Sequence, residues 1–293
     1  MKVLVYGATG SQAKPVVFEL IKKGHTALAF TRDATKAQDL AEAGAEIIEG
    51  DMANYADTLQ ASQKADAVAL LVPTFGAEPL KMGQNAIKAA QEANIGHIVW
   101  NTSGVIPPEK TGNPAYDIRQ DILEALQQSG VPHIVLQPTL YAENLLGPWT
   151  APFVKEQNKV AYPTLPDFKI GWLPSADMAK LIVAGLEKPA LAGKQFVVSG
   201  QEALSGTALA ASFSKALQKD IAYHALPPQE FGGILNNVMG EGAGDGVAAE
   251  YQAIWDGKVD PVMYVDMEAI LQQFEVAFTP MEDWVKSFDF MFN

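Results

Sequence analysis

The run Gly7-Ala8-Thr9-Gly10-Ser11-Gln12-Ala13 lies between an apolar stretch at residues 3–6 and a segment with Val16, Val17, Leu20 and Ile21 at helical spacing. A glycine loop in that strand–turn–helix context can cradle phosphate. Gly7 takes the tight turn off the strand, and Gly10 lets backbone approach a pyrophosphate. Ala13 stands where a third small residue permits close helix–strand packing. Thr9, Ser11 and Gln12 complete the loop. Unpaired amides at the helix start, with the helix dipole, favour the anion. Pro15 fits that first turn, where a missing N–H costs little. The expected ligand is a dinucleotide.

The end of the second apolar run bears on which one. NAD-binding folds usually set an Asp or Glu about 20 residues on, where it bonds the ribose 2′-hydroxyl. Here the chain reads Phe30-Thr31-Arg32-Asp33: Thr31 replaces the acid, and Arg32 offers a fork suited to phosphate. Lys36, a turn further on, adds charge. NADP(H) is therefore expected in preference to NAD(H). Two other readings stand beside this one: Arg32 as a solvated surface cation, and Asp33 as the acid in a shifted register. Asp51, with Met52 beside it in Glu49-Gly50-Asp51-Met52, is read either as an adenine neighbour or as the cap of a helix near Tyr55.

These groups need a scaffold, and the hydrophobic pattern supplies one. Short β-branched runs at residues 3–6, 26–30, 46–49, 67–72, 97–101 and 132–137 alternate with segments whose apolar residues fall three and four apart. The pattern predicts right-handed βαβ units and a Rossmann-type, doubly wound parallel sheet. Gly24, Gly44 and Gly130 fall at the joints. Residues 145–173, rich in proline and aromatics, lack a clean period and read as irregular cover over the sheet's carboxyl edge, a flat apolar lid. A helix at 176–186 and a strand at 195–199 follow. The tail from 201 to 293 reads as mostly helical, with a glycine-rich break at 240–246. The expected organisation is a nucleotide-binding domain over 1–144, with 173–199 returning to it. A smaller, mainly helical C-terminal lobe takes 145–172 and 200–293.

Composition narrows the functional classes. At 48% hydrophobic over 293 residues the chain can bury a large core. No run approaches the roughly 18 apolar residues of a membrane span, and no signal peptide is expected. The absence of cysteine excludes disulfides, thiolate nucleophiles and Cys-based metal sites. His25, His97, His133 and His224 are scattered without ligand spacing, so no metal site is expected. The net charge of −13 argues against a nucleic-acid partner. A cytoplasmic location is expected.

Further motifs carry a family likeness. They are GATG at 7–10, Thr31-Arg32-Asp33, Glu49-Gly50-Asp51, DILEALQQSGV at 121–131, QPTLYAEN at 137–144, LPSADMA at 173–179, VVSGQEALSG at 197–206 and YHALPPQEF at 223–231. Together they resemble the atypical short-chain dehydrogenase/reductases, the NmrA-like branch in particular. The resemblance implies a Rossmann domain, NADP(H), and a cleft under a small C-terminal lobe. The branch includes quinone reductases, triphenylmethane-dye reductases, isoflavone-reductase-like enzymes and redox-sensing regulators without known turnover.

Ordinary members of the wider family carry a Ser and then Tyr-x-x-x-Lys on the helix after strand five. Here Ser103 resembles the serine position, and the helix offers Tyr116 with Gln120 in the lysine's place. Residues four apart share a face, so both can point at the cleft. Gln120 can bond a ribose, but it carries no charge to assist the phenol, and no cation is expected beside Tyr116. Ser103 also reads as a turn serine, and Tyr116 as a core aromatic. The gap points to hydride delivery with little acid–base assistance, as a quinone or cationic dye would need. By the same likeness Pro138, Thr139 and Leu140 border the nicotinamide, and Asn144 faces the acceptor. The expected function is an NADPH-dependent reductase of quinone-like or extended aromatic acceptors. The alternative is an NADP(H) sensor that reports to a protein partner. A sugar-nucleotide epimerase, which needs an effective tyrosine base, fits less well.

Overall fold

Leu4, Leu28, Val68, Ile98 and Ile134 are each 1% exposed or less, because helices cover both faces of the sheet they belong to. The computed structural model describes residues 1–73 and 77–293. From the amino end the chain forms β1 (Lys2–Tyr6), α1 (Lys14–Lys22), β2 (Thr26–Thr31), α2 (Gln38–Glu42), β3 (Glu46–Glu49) and α3 (Tyr55–Ser62). It continues through β4 (Ala67–Leu71), α4 (Pro79–Glu92), β5 (His97–Asn101), α5 (Pro114–Gln128) and β6 (His133–Pro138). Next come β7 (Leu140–Tyr141), α6 (Ala151–Gln157), β8 (Lys159–Tyr162), β9 (Trp172–Leu173), α7 (Ser175–Glu187) and β10 (Gln195–Val198). The tail holds α8 (Gly206–Leu217), β11 (Ala222–Ala225), α9 (Pro228–Met239), α10 (Asp245–Trp255), α11 (Glu268–Phe274), α12 (Met281–Ser287) and α13 (Asp289–Phe292).

Two compact units divide this chain. The first comprises Met1–Pro138, Ser175–Val198 and Ala269–Ala277. Its sheet has seven parallel strands in the order β10-β6-β5-β4-β1-β2-β3. The Rossmann-type doubly wound sheet read from the sequence is thus the observed one. The chain winds outward from β1 to β3, then restarts at β4 and winds the other way. The carboxyl ends of β1 and β4 flank the switch point, where such sheets bind ligands. α5 begins at Pro114, which opens its first turn and places Tyr116 and Gln120 on the helix.

The second unit comprises Thr139–Pro174, Ser199–Glu268 and Phe278–Asn293. Residues 269–277, read with the C-terminal lobe, pack in the first unit instead, where the Phe274 ring meets Phe196 edge-on at 5.1 Å. Residues 145–173 also differ from the expected irregular cover. They contain α6 and β8, joined at Asn158 in the left-handed conformation, and β8 pairs with β11. Two of their aromatics are core residues, while Trp149, Phe153 and Phe168 are only partly buried. Tyr162 and Trp172 are 2% and 3% exposed and meet edge-on at 4.8 Å inside a core shared with Phe213, Phe231, Tyr251 and Trp284. The glycine-rich break closes a helical hairpin. Gly240 ends α9 at φ +108°, and Gly244 sits so close that a Cβ there would lie 2.1 Å from the Gly232 carbonyl. Among the described residues no helix is long and apolar enough to cross a membrane.

Candidate functional site

β1 delivers the chain to Gly7, whose φ of +69° is the left-handed region that glycine enters without strain. The Ala8 amide bonds the Phe30 carbonyl at the end of β2, 3.3 Å away. The loop then closes on itself: the Gly10 amide donates to the Gly7 carbonyl, and those of Ala13 and Lys14 to the Gly10 carbonyl, at 2.8, 3.2 and 2.9 Å. This leaves the amides of Thr9, Ser11 and Gln12 without a hydrogen bond among the described residues. Unused donors ahead of a helix start form a concavity for an anion. Gly10 is exposed, and a Cβ there would stand 3.2 Å from the Gly7 carbonyl. Ala13, 3% exposed, lets α1 lie close to the sheet.

The side chain of Gln12 links this loop to the turn after β5. Its Nε2 donates to the Ser103 hydroxyl at 2.9 Å, and Asn101 Nδ2 donates to Gln12 Oε1 at 3.4 Å. Asn101 Oδ1 accepts the Ser103 amide at 2.9 Å, which suits the left-handed backbone of Ser103, φ +57°. Ser103 is both a turn residue and a partner of the glycine loop.

Arg119, to which the sequence reading gave no role, dominates the next shell. It is 7% exposed, with Nε donating to the Thr102 carbonyl at 2.9 Å and Nη2 lying 3.5 Å from the Ser103 carbonyl. Gly104 makes room for it, since a Cβ there would lie 3.0 Å from Nη2. The guanidinium carbon stands 5.8 Å from the Tyr116 ring centroid. The expectation that no cation neighbours Tyr116 is thereby corrected: one does, three positions along α5 rather than four. Burial pushes the Arg119 guanidinium below its ordinary value, and the charge of Tyr116 pulls it back up. Gln120 instead gives its amide to the Pro107 carbonyl at 2.6 Å and borders a recess of about 390 Å³ with Ile106, Gln137 and Gln195.

At the end of β2, Arg32 is exposed and makes no hydrogen bond or ion pair among the described residues. Asp33 caps the short turn that follows, accepting from the Thr35 amide and hydroxyl. These bonds, with Lys36 at 3.8 Å, hold its carboxyl below the usual range. Asn54 caps α3, so the cap reading of Asp51 is corrected: Asp51 bonds the Ala53 amide at 2.9 Å and lies three residues ahead of the cap. The Met52 side chain is 5% exposed in the core, leaving only its backbone for a ligand.

Pro138 ends β6, paired with Val198. In the second unit the Thr139 hydroxyl is buried with no hydrogen-bond partner among the described residues. Leu140 packs partly buried against that unit's core. The Asn144 carbonyl accepts from Trp149 Nε1 at 2.7 Å, and its side chain bonds the Tyr162 phenol, which burial holds well above the ordinary value. Among the described residues, three unused amides, an exposed glycine and an unpaired arginine at the next strand end offer donors for the phosphates of a dinucleotide.

The family model for the NmrA-like family matches residues 1–285. The chain is 30% identical over 227 residues to an NAD(P)H azoreductase of Xenophilus azovorans, covering 76% of this chain and 77% of that one. It is 26% identical over 248 residues to quinone oxidoreductase 2 of Escherichia coli strain K12, covering 84% of each. Its fold is similar to the crystal structure of the NADPH-dependent quinone oxidoreductase of Escherichia coli complexed with NADPH, with TM-score 0.79 and 23% identity over 99% of this chain and 100% of that one.

Proposed function

The chain belongs to the NmrA-like family, and on that premise we propose that it is an NADPH-dependent reductase passing hydride to a quinone-like or extended aromatic acceptor. The observation that carries this reading is the loop of residues 7–13, with the amides of Thr9, Ser11 and Gln12 unused at the switch point of the sheet. These amides take the pyrophosphate. Arg32, with Lys36 beside it, takes the 2′-phosphate, and this makes NADPH the preferred cofactor. The backbone of Asp51 and Met52 borders the adenine, and Pro138 the nicotinamide. Leu140 and Asn144 contact the acceptor.

Bound NADPH would supply the hydride. Ser103, Gln12 and Asn101 hold the loop that binds it, so the chain's own contribution is chiefly position. A quinone suits such a site, because hydride addition yields an aromatic product and the remaining proton is easily supplied. The names of the azoreductase and quinone oxidoreductase relatives support that acceptor class. Loss of NADPH absorbance with a panel of quinones, azo dyes and triphenylmethane dyes tests the proposal. Turnover with at least one acceptor, and slower turnover with NADH, is expected. An NADPH complex that survives every acceptor unchanged would replace the reductase with a cofactor-sensing protein.

A further inference from the structure

The missing lysine leaves open what, if anything, assists Tyr116. We infer that Arg119 is the positioning cation for the Tyr116 phenol, doing from the third position of the helix what a lysine would do from the fourth. The inference rests on the reductase reading for its chemical purpose, though not for its test.

Four observations carry it. Residues three apart on α5 share a face, and the guanidinium carbon stands 5.8 Å from the ring centroid, at the outer limit of cation–π contact. The guanidinium is fixed by the Thr102 carbonyl and is 7% exposed, so its charge acts through a medium less screening than water. The absent side chain of Gly104 is what admits it to this place. The charge of Tyr116 also favours the charged form of the Arg119 guanidinium, against the effect of burial.

Other charges on the surrounding elements are engaged elsewhere or lie at the rim. Lys110 is paired with Asp121, and Asp117 accepts from the Thr111 and Gly112 amides. On α4, Lys81 is paired with Glu78, and Lys88 lies over the Tyr55 ring. Glu124 accepts from Gln128, and Glu109 is exposed.

With a quinone-like acceptor the step balances simply. Bound NADPH would supply the hydride and become oxidised, and the acceptor's remaining proton would come from the Tyr116 hydroxyl. Arg119, 5.8 Å from the ring centroid, would favour the phenolate until solvent returned the proton. An Arg119 that only clamped the Ser103 turn would leave the phenol unaffected.

The titration of Tyr116 separates the two roles without any need for turnover. Protein carrying tyrosine labelled with ¹³C at Cζ is titrated by NMR, the Tyr116 resonance being assigned by its loss in Tyr116→Phe. Wild type, Arg119→Lys and Arg119→Gln are compared. Tyr116 is expected to ionise about one pH unit lower in wild type than in Arg119→Gln, with Arg119→Lys recovering part of the difference. The same midpoint in all three folded proteins overturns the inference. If Arg119→Gln does not fold, the wild type against Arg119→Lys still decides it, since a lysine's shorter reach should raise the midpoint. Whether NADPH is oxidised in a parallel assay bears on the reductase reading alone.

Discussion

The Gln12 side-chain amide donates to the Ser103 hydroxyl over 2.9 Å, tying the glycine loop after β1 to the turn after β5 across the intervening β4. If the loop amides receive the cofactor as proposed, loss of this bond should appear first in cofactor affinity. Gln12→Ala and Ser103→Ala should each weaken NADPH binding by about two- to twelvefold, the worth of one ordinary hydrogen bond of ~0.5–1.5 kcal/mol. The double variant should be little worse than either single one, because both remove the same contact. Fluorescence titration of the four proteins gives the cycle. Fully additive losses would mean that the two side chains act separately.

Arg32 should decide between the two cofactors. A charge-assisted contact to the 2′-phosphate is worth roughly 1.5–3 kcal/mol, so Arg32→Ala should cost NADPH about ten- to a hundredfold in affinity and leave NADH almost unchanged. Isothermal titration with both cofactors measures this. Equal wild-type affinities would return Arg32 to the role of a solvated surface cation.

His97 predicts an acid-sensitive fold. It begins β5 at 4% exposure, and neither ring nitrogen has a hydrogen-bond partner among the described residues. Burial lowers its pKa from the usual 6.5, outweighing the Gly185 backbone that faces the ring, while His133 adds to the lowering. The unfolded chain therefore takes up the proton first. Stability is full above pH 6.5 and falls as pH drops toward the depressed folded value. Urea midpoints at neutral and mildly acid pH should separate more in wild type than in His97→Leu. Parallel pH dependence in the two would remove His97 as the cause.

Gly244 offers a packing test away from the site. Its φ of −90° suits any residue, so an added methyl meets only a steric objection, the Gly232 carbonyl 2.1 Å away. Gly244→Ala should cost ~3 kcal/mol, the upper range for overpacking, by prying α9 from α10. Chemical denaturation checks this, and a loss within the error of the fit would mean that the hairpin yields freely.

What could be read from the sequence divides along physical lines. Residues 7–13 and the apolar strand runs were legible because a strand–glycine–helix junction and doubly covered strands leave local signatures. The Gln12–Ser103 bond spans 91 positions and follows from strand order, which local pattern does not encode. Arg119 has a same-face spacing from Tyr116, three residues on, but a cation there carries no sequence signature until Gly104 and the Thr102 carbonyl are seen to hold it. Asp51 and Asn54 are both good caps by type, and only backbone geometry distinguishes them. In residues 145–173 helix and strand are each too short to display a period, and Tyr162 and Trp172 look like surface aromatics until the core around them is seen.

We propose that a dinucleotide held by the loop of residues 7–13 delivers hydride to an aromatic acceptor. Steady-state oxidation of NADPH by a quinone, in wild type and Gly10→Val, tests it most directly. A branched side chain at Gly10 would fill the space the pyrophosphate needs and crowd the Gly7 carbonyl, which a bare Cβ already approaches to 3.2 Å. Turnover is expected in wild type, with loss of both binding and turnover in a Gly10→Val protein that keeps its circular dichroism. Unchanged NADPH binding and oxidation in that folded variant would contradict the proposal.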